Sequence, residues 1–195
     1  MLVSCIMPTI KGREELIKLA KKCFDNQDYL ERELVIVEDE GTIGHKLNLG
    51  CERGKGSILI RWDDDDWSSP TRITDQINRL LVSKKSLTGY NEIYFWNTLT
   101  KTASWYRGAR NYCLGASMCF IRSFWEANHF LDASYGEDLE FYKKAKAVNE
   151  VIAVPAEHMM VARIHSNNTS SAKIKFPPVA VERLPKRFFD DMNGG

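Results

Sequence analysis

The first two-fifths of the chain alternate short apolar runs with amphipathic stretches, and this alternation constrains the fold more than any other feature. Residues 2–7 (LVSCIM) are apolar and end at Pro8 and Gly12. A helix is predicted from about Arg13, with Leu16, Ala20, Cys23 and Phe24 on one face. Residues 34–37 (LVIV) are apolar on both faces, the pattern of a parallel strand covered by helices on each side. Ile43, Leu47 and Cys51, spaced four apart, predict a second helix between glycine pairs at 41/44 and 54/56. Residues 57–62 form a third apolar strand, and Ile73, Ile77, Leu80 and Leu81 predict the inner face of a third helix after Pro70. Three such units imply right-handed crossovers and a parallel sheet. Ligands of such sheets bind beyond the carboxyl ends of the strands, here residues 8–13, 38–41 and 63–67.

The second half is less regular. Residues 92–97 and 101–106 read as a hairpin, 116–121 as a small strand, 137–148 as a helix, and 151–154 and 159–164 as late strands. The segment after Ser171 is basic, then carries Pro177 and Pro178, and is expected to wrap the surface or fray. Length and composition suit a single soluble domain: 195 residues, 44% hydrophobic and 27% charged. No apolar stretch approaches the roughly 18–20 residues that span a bilayer, and the N-terminal run reads as a buried strand, not a signal peptide. A formal net charge of +1 gives no indication of a broadly polycationic nucleic-acid binder. Five cysteines without a CxxC pair are expected to be reduced, in a cytoplasmic protein. The sequons at Asn167 and Asn168 are then expected to go unread.

Asp63-Asp64-Asp65-Asp66 follows directly on the third strand. Four adjacent carboxylates repel one another, so a site that holds them close calls for a cation. All-oxygen ligation suits Mg²⁺ or Mn²⁺, commonly held by one or two carboxylates together with substrate phosphates. In an extended segment positions i and i+2 point the same way, so Asp63 and Asp65 are expected to converge on one ion. The competing reading is a solvated acidic turn in which Asp66, Ser68 and Ser69 cap the helix after Pro70.

Residues 62–72 (WDDDDWSSPTR) resemble the DxD segment of the family-two, GT-A-fold inverting glycosyltransferases. Met7-Pro8-Thr9 with Arg13 resembles that family's first-strand loop, Val37-Glu38-Asp39 the acidic end of its second strand, and residues 44–54 its nucleotide-side helix. Gly136-Glu137-Asp138 resembles its ED motif, and Arg163-Ile164-His165 with Asn167, Asn168 and Ser170 its late RxH segment. The order runs from residue 2 to about 171.

The resemblance implies an α/β GT-A (Rossmann-like) fold, a single domain with a mainly parallel central sheet flanked by helices. It divides into a nucleotide-sugar half of about residues 1–67 and an acceptor half of about 68–171, with 172–195 as a C-terminal tail. It implies a metal-dependent inverting transferase using a nucleoside-diphosphate sugar, a UDP-sugar first, with Mn²⁺ or Mg²⁺. Pro8, Thr9, Arg13, Lys46 and Asp64 would line the nucleotide pocket and Asp39 would bind the nucleobase. Asp63 and Asp65 would form the DxD, with Asp66 a further candidate metal ligand because the tetrad allows more than one register. His165 would meet the metal or the diphosphate, and Asp138 would be the catalytic base.

The chemistry agrees with those residue types. A divalent cation stabilises charge on a departing diphosphate. A carboxylate must take the proton of the attacking hydroxyl, and a single displacement inverts the anomeric carbon. Asp138 stands where a helix begins, an end that favours negative charge; taken alone, Glu137 and Asp138 also read as simple helix-start residues. Trp105, Tyr106, Arg107, Arg110 and Tyr112 mix aromatic and basic side chains and read equally as surface or as an acceptor-side element, with Lys173 and Lys175 as further contacts if the acceptor is DNA. The acceptor classes left open are a glycan, a lipid-linked precursor, a protein or a modified DNA base. Two rival functions are a nucleotidyltransferase of similar fold and a non-catalytic module binding glycan or nucleic acid.

Overall fold

A computed structural model describes residues 1–155, 158–166, 168 and 176–193. Asn167, Ser170, Lys173, Lys175 and the boundary expected at 171/172 lie outside the described residues. The chain runs β1 (Val3–Pro8), α1 (Glu14–Asp25), β2 (Arg32–Val37), α2 (Ile43–Arg53), β3 (Ile58–Arg61), β4 (Trp67–Ser68) and α3 (Arg72–Ser83). It continues with β5 (Leu87–Asn97), β6 (Thr102–Arg107), β7 (Cys119–Ile121), α4 (Arg122–Ala127), α5 (Glu137–Ala147), β8 (Val151–Pro155), β9 (Met160–Ile164), β10 (Pro178–Val179) and α6 (Lys186–Asn193). All the described strands join one sheet, whose main path is β10-β6-β5-β7-β3-β1-β2.

The N-terminal half is the expected parallel unit: β1 pairs in parallel with β2 and with β3. Period-two alternation splits β1 between two cores. Val3, Cys5 and Met7 join the face packed by α1, α3 and α6, whereas Ile6 joins Leu47, Leu59, Phe120 and Phe141 beneath α2 and α5. The second half is mixed. β7 runs antiparallel to β3, β6 antiparallel to β5, and β8 and β9 parallel to β5 along its length. The hairpin expected at 92–106 is present, but its first strand begins at Leu87 and carries the pairing of four neighbours.

Several local expectations are corrected. β2 is the outermost strand, so its apolar run is only partly buried: Leu34 packs on the core beneath α1, Val35 on the core beneath α2 and Val37 is fully buried, while Ile36 is exposed. On α3, Ile73, Ile77 and Leu80 face inward, but Leu81 is 58% exposed because it lies off the i, i+4, i+7 stripe. Residues 116–118 form no strand; a 3₁₀ turn at Gly115–Ser117 leads into the shorter β7.

The chain end is anchored where it is described. Pro178 and Val179 extend the sheet beside β6, and α6 buries Phe188 completely against Trp67 and Trp96, at ring-centroid distances of 6.0 and 6.2 Å. No described helix is long and apolar enough to cross a membrane.

Candidate active site

β1 and β3 lie side by side while β2 lies beyond β1, so the strand order reverses between β1 and β3, the place where open α/β sheets form a ligand crevice. A cavity of about 490 Å³ opens there. Pro8, Thr9, Ile10 and Arg13 line it from the β1 loop, Lys46 from α2, Arg61 and Asp63–Asp66 from the end of β3, and Glu137 and Asp138 from the start of α5. The opposite wall is apolar and aromatic, with Phe95, Tyr106, Tyr112, Leu114, Ile164 and Phe176 among its members.

The tetrad is a turn pinned on three sides. β4 pairs antiparallel with β9, which carries Arg163 and His165 to the tetrad across about one hundred residues of sequence. The Arg163 N–H donates to Asp66 Oδ1 at 3.1 Å, and the Arg163 guanidinium donates to the Asp65 carbonyl. Arg72, fully buried over the Trp62 ring, donates to the Ser68 hydroxyl and to the carbonyls of Arg61 and Ala116, bracing the turn from behind.

The four carboxylates point to different partners. Asp63 accepts from Arg61 Nε at 2.7 Å. Asp64 accepts from the Thr9 hydroxyl at 2.5 Å and from Arg13 Nη1 at 2.7 Å. Asp65 Oδ2 meets Arg13 Nη2 at 3.0 Å, His165 Nε2 at 3.0 Å and Asn168 Nδ2 at 3.3 Å. Asp63 is thus held from β3, and Asp65 from Arg13 and the end of β9. Among the described residues no three His, Cys, Asp or Glu side chains form a set that could hold a metal by themselves. Asp65 and His165 do come together, and one carboxylate and one imidazole fit the protein half of a Mg²⁺ or Mn²⁺ site completed by substrate phosphates.

The electrostatics follow these partners. Burial, with repulsion from Asp65 and Asp63, pushes Asp66 well above the usual carboxylate range. Burial also raises Asp64 despite its bonds to Thr9 and Arg13. Burial acts to raise Asp65 too, but the His165 bond and the charges of Arg13 and Arg163 outweigh it, so its carboxyl is held low. Six carboxylates and four basic side chains line the cavity. Lys46 is buried there, its Nζ donating to the Thr9 carbonyl at 2.7 Å.

Asp138 is placed by two glycines. Gly136, at φ 77°, takes the left-handed conformation that starts α5. Gly115 lies against the carboxylate: a Cβ there would fall 1.9 Å from Asp138 Oδ2, so only a glycine lets the two approach. Asp138 Oδ1 accepts the Leu139 N–H at 2.7 Å. Arg61 joins the two acidic segments, with Asp63 on one side and Glu137 Oε1 at 3.0 Å on the other.

Of the residues singled out in the sequence, Pro8, Thr9, Arg13, Lys46, Asp63, Asp64, Asp65, Asp66 and Asp138 all line this one cavity. His165 stands just behind Asp65. Asp39 does not line it; its carboxylate is exposed and clasped by both Arg53 Nη atoms, at 2.7 and 2.9 Å, because β2 sits outside the crevice. Arg61, Gly115 and the partners of β9 were not foreseen, since they depend on strand pairing that no local motif announces. Arg163 was recognised only as part of a motif; its Nη2 is buried without a hydrogen-bond partner in the cavity wall.

No protein-family model matches the chain, and no curated protein sequence matches it. Solved structures do. S. aureus TarS 1–349 in complex with UDP-GlcNAc superposes with a TM-score of 0.70 at 17% identity, covering 98% of this chain and 64% of that one. The same segment of TarS in complex with UDP gives 0.67 at 17% identity, covering 84% and 61%. The mannosyltransferase PcManGT from Pyrobaculum calidifontis, in complex with GDP-Man and Mn²⁺, gives 0.63 at 15% identity, covering 86% and 58%. The chain thus spans about three-fifths of the length of these neighbours. The likeness defines a GT-A-like glycosyltransferase fold: an α/β domain with a central sheet flanked by helices.

Proposed function

We propose that the chain is a metal-dependent inverting glycosyltransferase that moves a sugar from a nucleoside-diphosphate sugar, in our reading a UDP-sugar, to an acceptor hydroxyl. One observation carries this reading. A single cavity at the β1/β3 switch point gathers the β1 loop, the tetrad, Lys46 and Asp138. The UDP and UDP-GlcNAc complexes of TarS and the GDP-Man and Mn²⁺ complex of PcManGT support the donor class.

Thr9, Arg13, Lys46 and Arg163 would hold the donor's nucleotide and diphosphate. Asp65 and His165 would hold Mn²⁺ or Mg²⁺, which supplies Lewis-acid stabilisation of the leaving diphosphate's charge. A diphosphate adds negative charge to a cavity already rich in carboxylates, which favours a bound cation. Asp63 is kept in place by Arg61, and Asp66 serves as the anchor to β9. Asp138 would take the acceptor proton, held by Gly115 and the first turn of α5. The nucleobase role of Asp39 requires it to accept from the base while Arg53 still holds it, or to leave Arg53.

The test is product analysis. Incubated with a panel of UDP- and GDP-sugars, Mn²⁺ and mixed acceptors, the chain is expected to release nucleoside diphosphate and give a product of inverted anomeric configuration by proton NMR. Retained configuration refutes the single displacement. Pyrophosphate released from a nucleoside triphosphate, with no sugar transferred, identifies a nucleotidyltransferase instead.

A further inference from the structure

The apolar wall of the cavity has a composition of its own. Phe95 of β5, Tyr106 of β6 and Phe176 ahead of β10 form a ring cluster, with centroids 4.6 Å apart for Phe95 and Phe176 and 5.2 Å for Tyr106 and Phe176. Tyr112 extends the wall towards the start of α5, its ring 5.1 Å from Tyr142. All four line the cavity and all are half-buried, so part of each ring is exposed to it. Neither the Tyr106 nor the Tyr112 hydroxyl has a hydrogen-bond partner among the described residues. Asp138 bears electrostatically on Tyr112, and with burial as the larger cause the Tyr112 hydroxyl is pushed up to about 12. Tyr112 and the carboxylate proposed as base line the same cavity.

We propose that this wall is the acceptor subsite and that it takes the ring of an uncharged saccharide, with Phe95 and Phe176 packing on the sugar's C–H face and the Tyr106 and Tyr112 hydroxyls bonding its hydroxyls. The inference rests on the glycosyltransferase reading and narrows its acceptor. A pyranose has an apolar face and a polar rim, which matches apolar rings carrying unengaged phenol hydroxyls. An acyl chain would cover those hydroxyls without giving them partners, at a desolvation cost. A nucleic acid would bring phosphates towards Asp63, Glu137 and Asp138, whose shared counter-charge, Arg61, is already engaged by Asp63 and Glu137.

The experiment applies the labelled full chain, with UDP and Mn²⁺ present, to a printed glycan array, to phosphatidylcholine vesicles and to a fluorescent single-stranded oligodeoxynucleotide. Glycans sharing one terminal sugar are expected to be retained. Tyr106→Ala and Tyr112→Ala are each expected to weaken retention about ten-fold, and Tyr106→Phe by a smaller factor, while the UDP-induced thermal shift stays unchanged. No glycan retained with UDP binding intact overturns the acceptor class, as does preference for vesicles or oligonucleotide. Glycan binding unchanged in the tyrosine variants overturns the location. Loss of UDP binding with glycans still retained refutes the donor reading and leaves the saccharide subsite standing.

Discussion

The two walls of the cavity are built by different means. The donor-side wall comes from β1, β3 and their loops, where a repeated strand–helix unit sets successive loops side by side: Thr9 and Arg13 reach Asp64 because β1 and β3 pair directly. The acceptor-side wall starts from the β5–β6 hairpin and adds β9 and the chain end, which join it by pairings across 60 residues or more. The first wall is polar, with its carboxylates matched to arginines; the second is aromatic, with hydroxyls left unengaged. Charged chemistry here resides on a repeated strand–loop–helix frame, while the aromatic wall combines a hairpin with pieces from far along the chain. Asp138, on α5 against Gly115, stands between them.

Perturbations should separate the two walls. The largest effect is expected from Asp138→Asn, which removes the proposed base: transfer should fall by about 10²- to 10⁴-fold, with nucleotide binding kept. Turnover assays beside a UDP titration check this, and normal turnover would contradict the assignment. Gly115→Ala should push the Asp138 carboxylate aside and cost about 10²-fold in turnover, as an ångström-scale misplacement does; a crystal structure of the variant shows whether the carboxylate has moved.

Stability distinguishes the distant assembly. Phe188→Ala should cost about 3–5 kcal/mol in chemical denaturation, since that ring is completely buried. Leu81→Ala, by contrast, should stay within about 0.5 kcal/mol. The smallest effect concerns the thiols. All five cysteines are free and buried, with burial pushing Cys5 up to about 12 and Cys23 up to about 11. A thiol-labelling reagent at neutral pH should react with none in the folded state and with five after unfolding.

What the sequence made legible follows the same division. β1, β3 and α2 were readable from apolar runs and four-residue spacing, and the tetrad from its place after a strand. Those signals are local and need no knowledge of the partner. That β2 lies at the edge was not legible, since an apolar run does not tell a central strand from an edge strand. The direction of each tetrad carboxylate was equally hidden, because Arg61 at the end of β3 and Arg13 at the start of α1 decide it. The C-terminal aromatics are polar-flanked in sequence and read as a tail; only Trp67 of β4 and Trp96 of β5, brought together by the sheet, give Phe188 somewhere to bury.

The central claim is that the cavity between β1 and β3 binds a nucleoside diphosphate with a divalent cation. A thermal-shift titration with UDP, GDP, CDP and dTDP, each with Mn²⁺ and with EDTA, tests it most directly, because a ligand bound to the native state raises the melting temperature by mass action. The account predicts a shift with one diphosphate that requires Mn²⁺ and disappears in Asp65→Asn. No shift with any of the four, or one indifferent to Mn²⁺ and to Asp65, would contradict it.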